Sequence, residues 1–87
     1  MAYNKPQQIT DPMPRCHHQD DAQWINAKLA SCADMKERFL VCEAYTKVYS
    51  EAFAAEKSEH KSSNAARKCA NERLRIFIAK KSRVFNR

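Results

Sequence analysis

Four cysteines, Cys16, Cys32, Cys42 and Cys69, are the residues of this chain best suited to chemistry. Thiols can ligate metal, attack as thiolates, or pair as disulfides. The metal reading has one dense cluster to work with, Cys16-His17-His18, while His60 stands alone. Structural zinc sites use compact pairs such as C-x2-C and H-x3-H, and the chain has none, so no metal or cofactor is expected. A catalytic thiol needs a base and a group that orients it, and no such set is readable beside any cysteine. The carboxylates are scattered in the pattern of solvated helix faces. The expectation is therefore a protein that is not an enzyme, with its cysteines available for pairing.

Four cysteines allow three pairings, and the elements that carry them decide which are reachable. The 87 residues contain no glycine, and the three prolines, Pro6, Pro12 and Pro14, all fall near the start. From Arg15 to Arg87 the chain lacks both of its strongest punctuators. That argues against hairpin-rich β folds, Rossmann units and P-loops, and it favours long helices. Residues 1–19 read as an extended, Pro-containing arm without a core of its own, of the kind that becomes ordered on a partner.

Asp20 or Asp21 is a good helix N-cap, and a helix is expected over residues 20–57. Cys32, Met35, Phe39, Cys42, Thr46, Tyr49 and Phe53 step by alternating threes and fours, a heptad seam that runs back to Lys28 and Ile25. Lys28 and Thr46 are its polar defects. Trp24, Leu29, Leu40 and Tyr45 widen the apolar face. Residues 58–64, SEHKSSN, are the one plausible turn, with Ser62, Ser63 or Asn64 as the next cap. A second helix is expected over residues 65–84, with Ala66, Cys69, Ala70, Ile76, Phe77 and Val84 inward. One unbroken helix of more than sixty residues is the alternative. The fold class is all-α: a helical hairpin of two long helices with an extended N-terminal arm. A chain this short buries only about 60–65% of its unfolded surface, so the core is marginal.

On one straight helix Cys32 and Cys42 lie about 15 Å apart, beyond the roughly 7 Å a disulfide spans. Cys16 would have to run about 30 Å back to reach Cys42. The expected set is Cys16–Cys32, folding the arm back, and Cys42–Cys69, closing the hairpin. Each would add about 2–4 kcal/mol on the loop-entropy model.

The formal net charge of +6 is concentrated at one end. Arg67, Lys68, Arg73, Arg75, Lys80, Lys81, Arg83 and Arg87 are opposed after position 64 only by Glu72. Such a tail suits nucleic acid, anionic lipid head groups or an acidic protein surface. Nucleic acid is disfavoured, because aromatic-basic interleaving is limited to Phe77 and Phe85. No apolar run is long enough to cross a membrane, and no cleavable targeting signal is expected at the N-terminus.

Cys32 and Cys42 form one C-x9-C element, but the position ten beyond Cys69 is Ala79, so the twin C-x9-C pattern is broken. A longer stretch, residues 24–83, resembles the PDSW family of accessory subunits of mitochondrial respiratory complex I (NADH:ubiquinone oxidoreductase). The likeness runs through Trp24-Ile25, Leu29-Ala30-Ser31-Cys32, Cys42, the helix from Tyr45 to Phe53, Ala66-Arg67-Lys68-Cys69 and Glu72-Arg73-Leu74-Arg75, about two thirds of the chain. Two departures stand out. Family members have a longer, glycine-containing spacer between the two central cysteines, and many have a longer N-terminal region.

The resemblance implies a non-catalytic structural subunit on the intermembrane-space face of the membrane arm, peripheral to the inner membrane. Its partners would be other subunits of a large mitochondrial membrane complex. The same compartment reconciles four cysteines with the missing signal peptide. Candidate partner contacts are Trp24, Phe39, Tyr45, Tyr49, Phe53, Arg73, Arg75 and Phe77. The alternatives are a C-x9-C-type mitochondrial ribosomal protein or an accessory subunit of another inner-membrane complex. A soluble redox or metal chaperone would be expected to display a C-x-C or C-P-C pair.

Overall fold

The computed structural model describes residues 9–85, with side chains through Lys81. Among these residues the chain is all-helical: α1 (Ala22–Leu29), α2 (Met35–Ala55) and α3 (Glu59–Phe85), with a short 3-10 turn at Gln19–Asp21 ahead of α1. The two long helices, α2 and α3, form the principal packing pair.

The helix expected over 20–57 is two helices. After Leu29 the backbone tightens, with Ser31 N–H donating to the Lys28 carbonyl and Cys32 N–H to that of Leu29. A new helix then starts with Asp34 as its N-cap, and Glu37 reaches back to the residue before it. Asp34 Oδ1 accepts from Glu37 N–H at 2.8 Å, and Glu37 Oε2 accepts from Ala33 N–H at 2.8 Å. The break serves burial: folded back, α1 places Ile25 and Leu29 in the common core at 0% and 1% exposure. Asp21 stands at the N-cap position of α1, but its side chain caps nothing there. His18 caps the 3-10 turn instead, its Nδ1 accepting from Asp20 N–H.

The turn expected over 58–64 is shorter and earlier. Glu56 leaves the helix with extended backbone, and α3 begins at Glu59. Ser58 N–H donates to Glu56 Oε1, and Ser62 Oγ–H donates back to the Ser58 carbonyl at 3.0 Å. That local bond satisfies a hydroxyl only 5% exposed, so the serine-rich segment is helical rather than a turn. The chain reverses at 56–58, so a single unbroken helix is not formed.

The core joins Ile25 and Leu29 to Cys42, Tyr45, Ala70 and Leu74, with Ala66 also fully buried. Ala66, Ala70 and Leu74 recur every four residues on α3, and the two alanines let its backbone approach closely. The inner face expected for this helix is therefore corrected at Cys69 and Ile76, both exposed. Val84 lies outside the described side chains.

The seam expected on α2 is also displaced. Met35, Phe39 and Phe53 are 53%, 57% and 47% exposed, whereas Arg38, Cys42, Tyr45 and Thr46 are buried. The cause is a second cover: α2 is wedged between α3 on one flank and the N-terminal arm on the other. Arg38 Nε–H donates to the Pro12 carbonyl at 2.7 Å, Arg15 N–H to Thr46 Oγ1 at 3.0 Å, and Ser50 Oγ–H to Cys16 Sγ at 3.5 Å. Successive arm residues meet successive turns of α2, so the arm runs parallel to it, with Pro14 buried. Thr46, a defect in the heptad pattern, is the arm's anchor. The described part of the arm is thus ordered on its own chain.

Candidate functional site

A polar clamp ties the start of α1 to α3. Arg67 donates through Nε and Nη2 to the two oxygens of Asp21 at 2.8 and 2.9 Å, and Asn71 Nδ2 adds a bond at 3.1 Å. Tyr45 Oη–H donates to Asn71 Oδ1, bringing α2 into the same network. The Arg67 guanidinium holds the Asp21 carboxyl below its ordinary range, with Asn71 helping and partial burial opposing. Burial pushes the Tyr45 phenol well above its usual value, so it stays a donor. The Ala66-Arg67-Lys68-Cys69 run thereby separates into roles. Ala66 is core, Arg67 grips Asp21, and Lys68 and Cys69 face outward.

Beside this clamp, α2 and α3 wall an open groove of about 580 Å³. Tyr45, Ala70 and Leu74 form its floor, Leu40, Val41, Ala44 and Val48 line the α2 wall, and Phe77 lines the α3 wall. Leu40 is 63% exposed, a large apolar side chain facing out. The charged lining is Glu37, Lys47, Glu51 and Arg73. Lys81 Nζ bonds Glu37 Oε1 at 2.8 Å, closing one end of the helix pair and holding the Glu37 carboxyl below its usual range. Lys47, Glu51 and Arg73 form no ion pair among the described residues.

The eight candidate contact residues divide. Trp24 is flanked by cations, Lys28 Nζ 5.7 Å and the Arg75 guanidinium 5.1 Å from its ring centroid, so Trp24 and Arg75 are engaged with each other. Tyr45 is core, and Tyr45, Tyr49 and Phe53 stack in sequence with centroids 6.2 and 6.3 Å apart. Phe39 and Phe53 are exposed, while Arg73 and Phe77 belong to the groove. Two groups that organise the site gave no readable signal: Asp21 as the partner of Arg67, and Arg38. The Arg38 guanidinium, 4% exposed, also donates to Asn26 Oδ1 at 2.7 Å and lies 3.9 Å from the Asp11 carboxylate. The Asp34-x-x-Glu37 spacing was a signal the sequence did carry.

No disulfide joins the four cysteines. Cys16 meets α2 at Ser50, eight residues or about 12 Å along the helix from Cys42. Cys69 is exposed on α3, whereas Cys42 is buried with its thiol directed at the Pro12 carbonyl, 3.7 Å away. Cys32 packs against the cluster that contains Cys42. The straight-helix geometry that separated this last pair fails because the helix breaks just before Cys32. Burial pushes both thiols up, Glu37 adding to the effect at Cys32, so neither is a ready thiolate.

Among the described residues no three His, Cys, Asp or Glu side chains are grouped so that they could hold a metal ion. No described helix is long and apolar enough to cross a membrane. No family model, curated protein or solved structure matches the chain. The arrangement offers a braced helix pair with an apolar groove along one side.

Proposed function

We propose that this chain is a non-catalytic structural subunit of a large mitochondrial inner-membrane assembly. Its resemblance to the PDSW family makes respiratory complex I the assembly of choice, on the intermembrane-space face. The groove between α2 and α3 carries the reading, because it leaves large apolar side chains in water on a small chain. Such a surface is stabilised when a neighbour covers it. The polar clamp is consistent with the same reading: Arg67, from the Ala66-Arg67-Lys68-Cys69 run of the resemblance, fastens α3 to Asp21 ahead of α1, and Asn71 beside it bonds Tyr45 between the groove walls. In this role the chain braces adjacent subunits and touches neither electron nor quinone. Anionic head groups remain available partners for the cations outside the clamp.

The test is native-gel separation of mitochondrial membranes carrying a tagged copy, followed by mass spectrometry. The tag should migrate with complex I. Depletion should lower assembled complex I and leave NADH oxidation per assembled complex unchanged. Migration with the mitochondrial ribosome would refute the assignment. A fall in activity per complex at constant assembly would refute the structural role.

A further inference from the structure

We infer that the α2–α3 groove receives an amphipathic helix of a neighbouring protein, with acidic side chains on its two flanks, one about one turn and the other about two turns beyond its first apolar anchor. The inference rests on the subunit reading and specifies the partner of that site. The register of the walls carries it. Glu37 pairs with Lys81 and Tyr45 reaches Asn71, so α2 and α3 run antiparallel, with facing residue numbers summing to about 117. Leu40 then stands level with Phe77, and Arg73 level with Ala44. Lys47 follows within one turn on the opposite wall.

The groove therefore has an apolar end at Leu40, Val41 and Phe77 and a cationic waist between Lys47 and Arg73. Seven residues, about 10 Å, separate Leu40 from Lys47 along α2. The Glu37 charge is met by Lys81, leaving Glu51 as the one unpaired carboxylate of the lining. Lys80, two turns from Arg73 on α3, adds positive charge to that side.

The walls also select the occupant's secondary structure. Both are helices whose mid-length backbone groups are bonded internally, so they offer an incoming strand no partners. An extended segment in an apolar groove would leave its own N–H and C=O groups unsatisfied. A helix arrives with those bonds made and reads the groove through anchors at i, i+4 and i+7. A second copy of this chain is disfavoured by the +6 charge that each copy carries.

The experiment uses the full chain and two synthetic helices of about 18 residues, long enough to hold helical structure. Both carry the same leucine stripe, and one has glutamates on its flanks where the other has lysines. At low salt the acidic peptide should bind about tenfold or more tightly than the basic one, and the preference should shrink as salt screens it. NMR shifts on binding should centre on Leu40, Ala44, Val48 and Phe77. The double reversal Lys47→Glu with Arg73→Glu should invert the preference. Leu40→Asp, at an exposed position, should abolish binding of both peptides with the circular dichroism unchanged.

Equal affinity for the two peptides, or a preference that survives the double reversal, would overturn the inference. So would groove shifts produced by phosphatidylcholine–cardiolipin vesicles and by neither peptide, or a dimer in sedimentation that occupies the groove. If the tagged chain still migrates with complex I while the peptides fail, the helix partner is wrong and the subunit reading stands. Selective peptide binding by a chain absent from complex I supports the groove inference and refutes the assignment.

Discussion

Replacing Arg38 with methionine tests how the N-terminal arm is held. The side chain is 4% exposed and donates to the Pro12 carbonyl and to Asn26 Oδ1, each at 2.7 Å. Its nearest carboxylate, Asp11, is 3.9 Å away and 55% exposed, so the charge is satisfied chiefly by neutral acceptors. Methionine keeps most of the volume and removes both donors. Asn26 Oδ1 is left without its guanidinium donor and the Pro12 carbonyl keeps only the weak Cys42 thiol, each loss costing about 1–3 kcal/mol. Against that stands the relief of no longer burying a guanidinium, which for buried ions offsets much of the loss. The balance is a destabilisation of about 2–3 kcal/mol, or roughly 8–24 °C in Tm at the 4–8 °C per kcal/mol of domains this size. The loss should be local first, because both acceptors belong to segments that Arg38 pins to α2.

Hydrogen exchange by mass spectrometry checks that order. Peptides covering 9–18 should lose protection in Arg38→Met before those covering α3. Arg38→Lys should fall close to it, since an ammonium cannot reproduce the planar fork that reaches both acceptors. A double-mutant cycle with Asn26→Leu should return a coupling of about 0.5–3 kcal/mol. If Arg38→Met were as stable as the parent with the arm still protected, hydrophobic packing would be holding the arm and the hydrogen-bond account would be wrong.

Asp34→Ala removes the α2 cap and should cost about 0.5–2 kcal/mol in urea unfolding, with fraying confined to the first turn of α2. The Asp21 carboxyl is held below its ordinary range by Arg67, so the stability it adds is present above the unfolded value, about 3.9, and is lost as pH falls through the lower folded value. Melting temperature should therefore drop as the solution is acidified below about pH 4, and Asp21→Asn should be less stable at neutral pH with a flatter acid limb. Mild oxidation of the folded chain should link Cys32 to Cys42 first, because both pack on one cluster, and non-reducing peptide mapping would identify the bond; a leading Cys16–Cys32 or Cys42–Cys69 link would contradict the observed packing.

The helical class was legible because an absence of glycine and late proline is a global property of the chain. The two long helices followed from apolar periodicity, and the reversal between them from the serine-rich segment, displaced by a few residues. The break after Leu29 had a local signal in Asp34-x-x-Glu37, but apolar periodicity ran straight through it. A heptad count cannot register a fold-back whose advantage, burial of Ile25 and Leu29 against two other helices, exists only in three dimensions. The exclusion of a Cys32–Cys42 pair fails for the same reason, since it assumed the straight helix. Asp21 and Arg67 are 46 positions apart, and nothing in either's neighbourhood marks the other.

Two covers of different kind explain why one face of α2 stays open. The arm side is largely polar in its fastening: a guanidinium, a threonine hydroxyl and backbone amides carry most of it, around one buried proline. The α3 side is apolar, built on Ala66, Ala70 and Leu74, with the Asp21–Arg67 clamp at its edge. Small residues on α3 bring the two backbones close at the core, and closeness there leaves the longer side chains Leu40 and Phe77 nothing to interlock with at the groove. The feature that stabilises the hairpin is thus the feature that keeps its groove unfilled. A bulkier residue at 66 or 70 would push the helices apart and cost core packing, while a bulkier groove residue would only fill the space a neighbour needs. On that logic the marginal core and the exposed apolar wall have one cause: the close approach at Ala66 and Ala70 that builds the core leaves Leu40 and Phe77 open to the neighbouring helix inferred above.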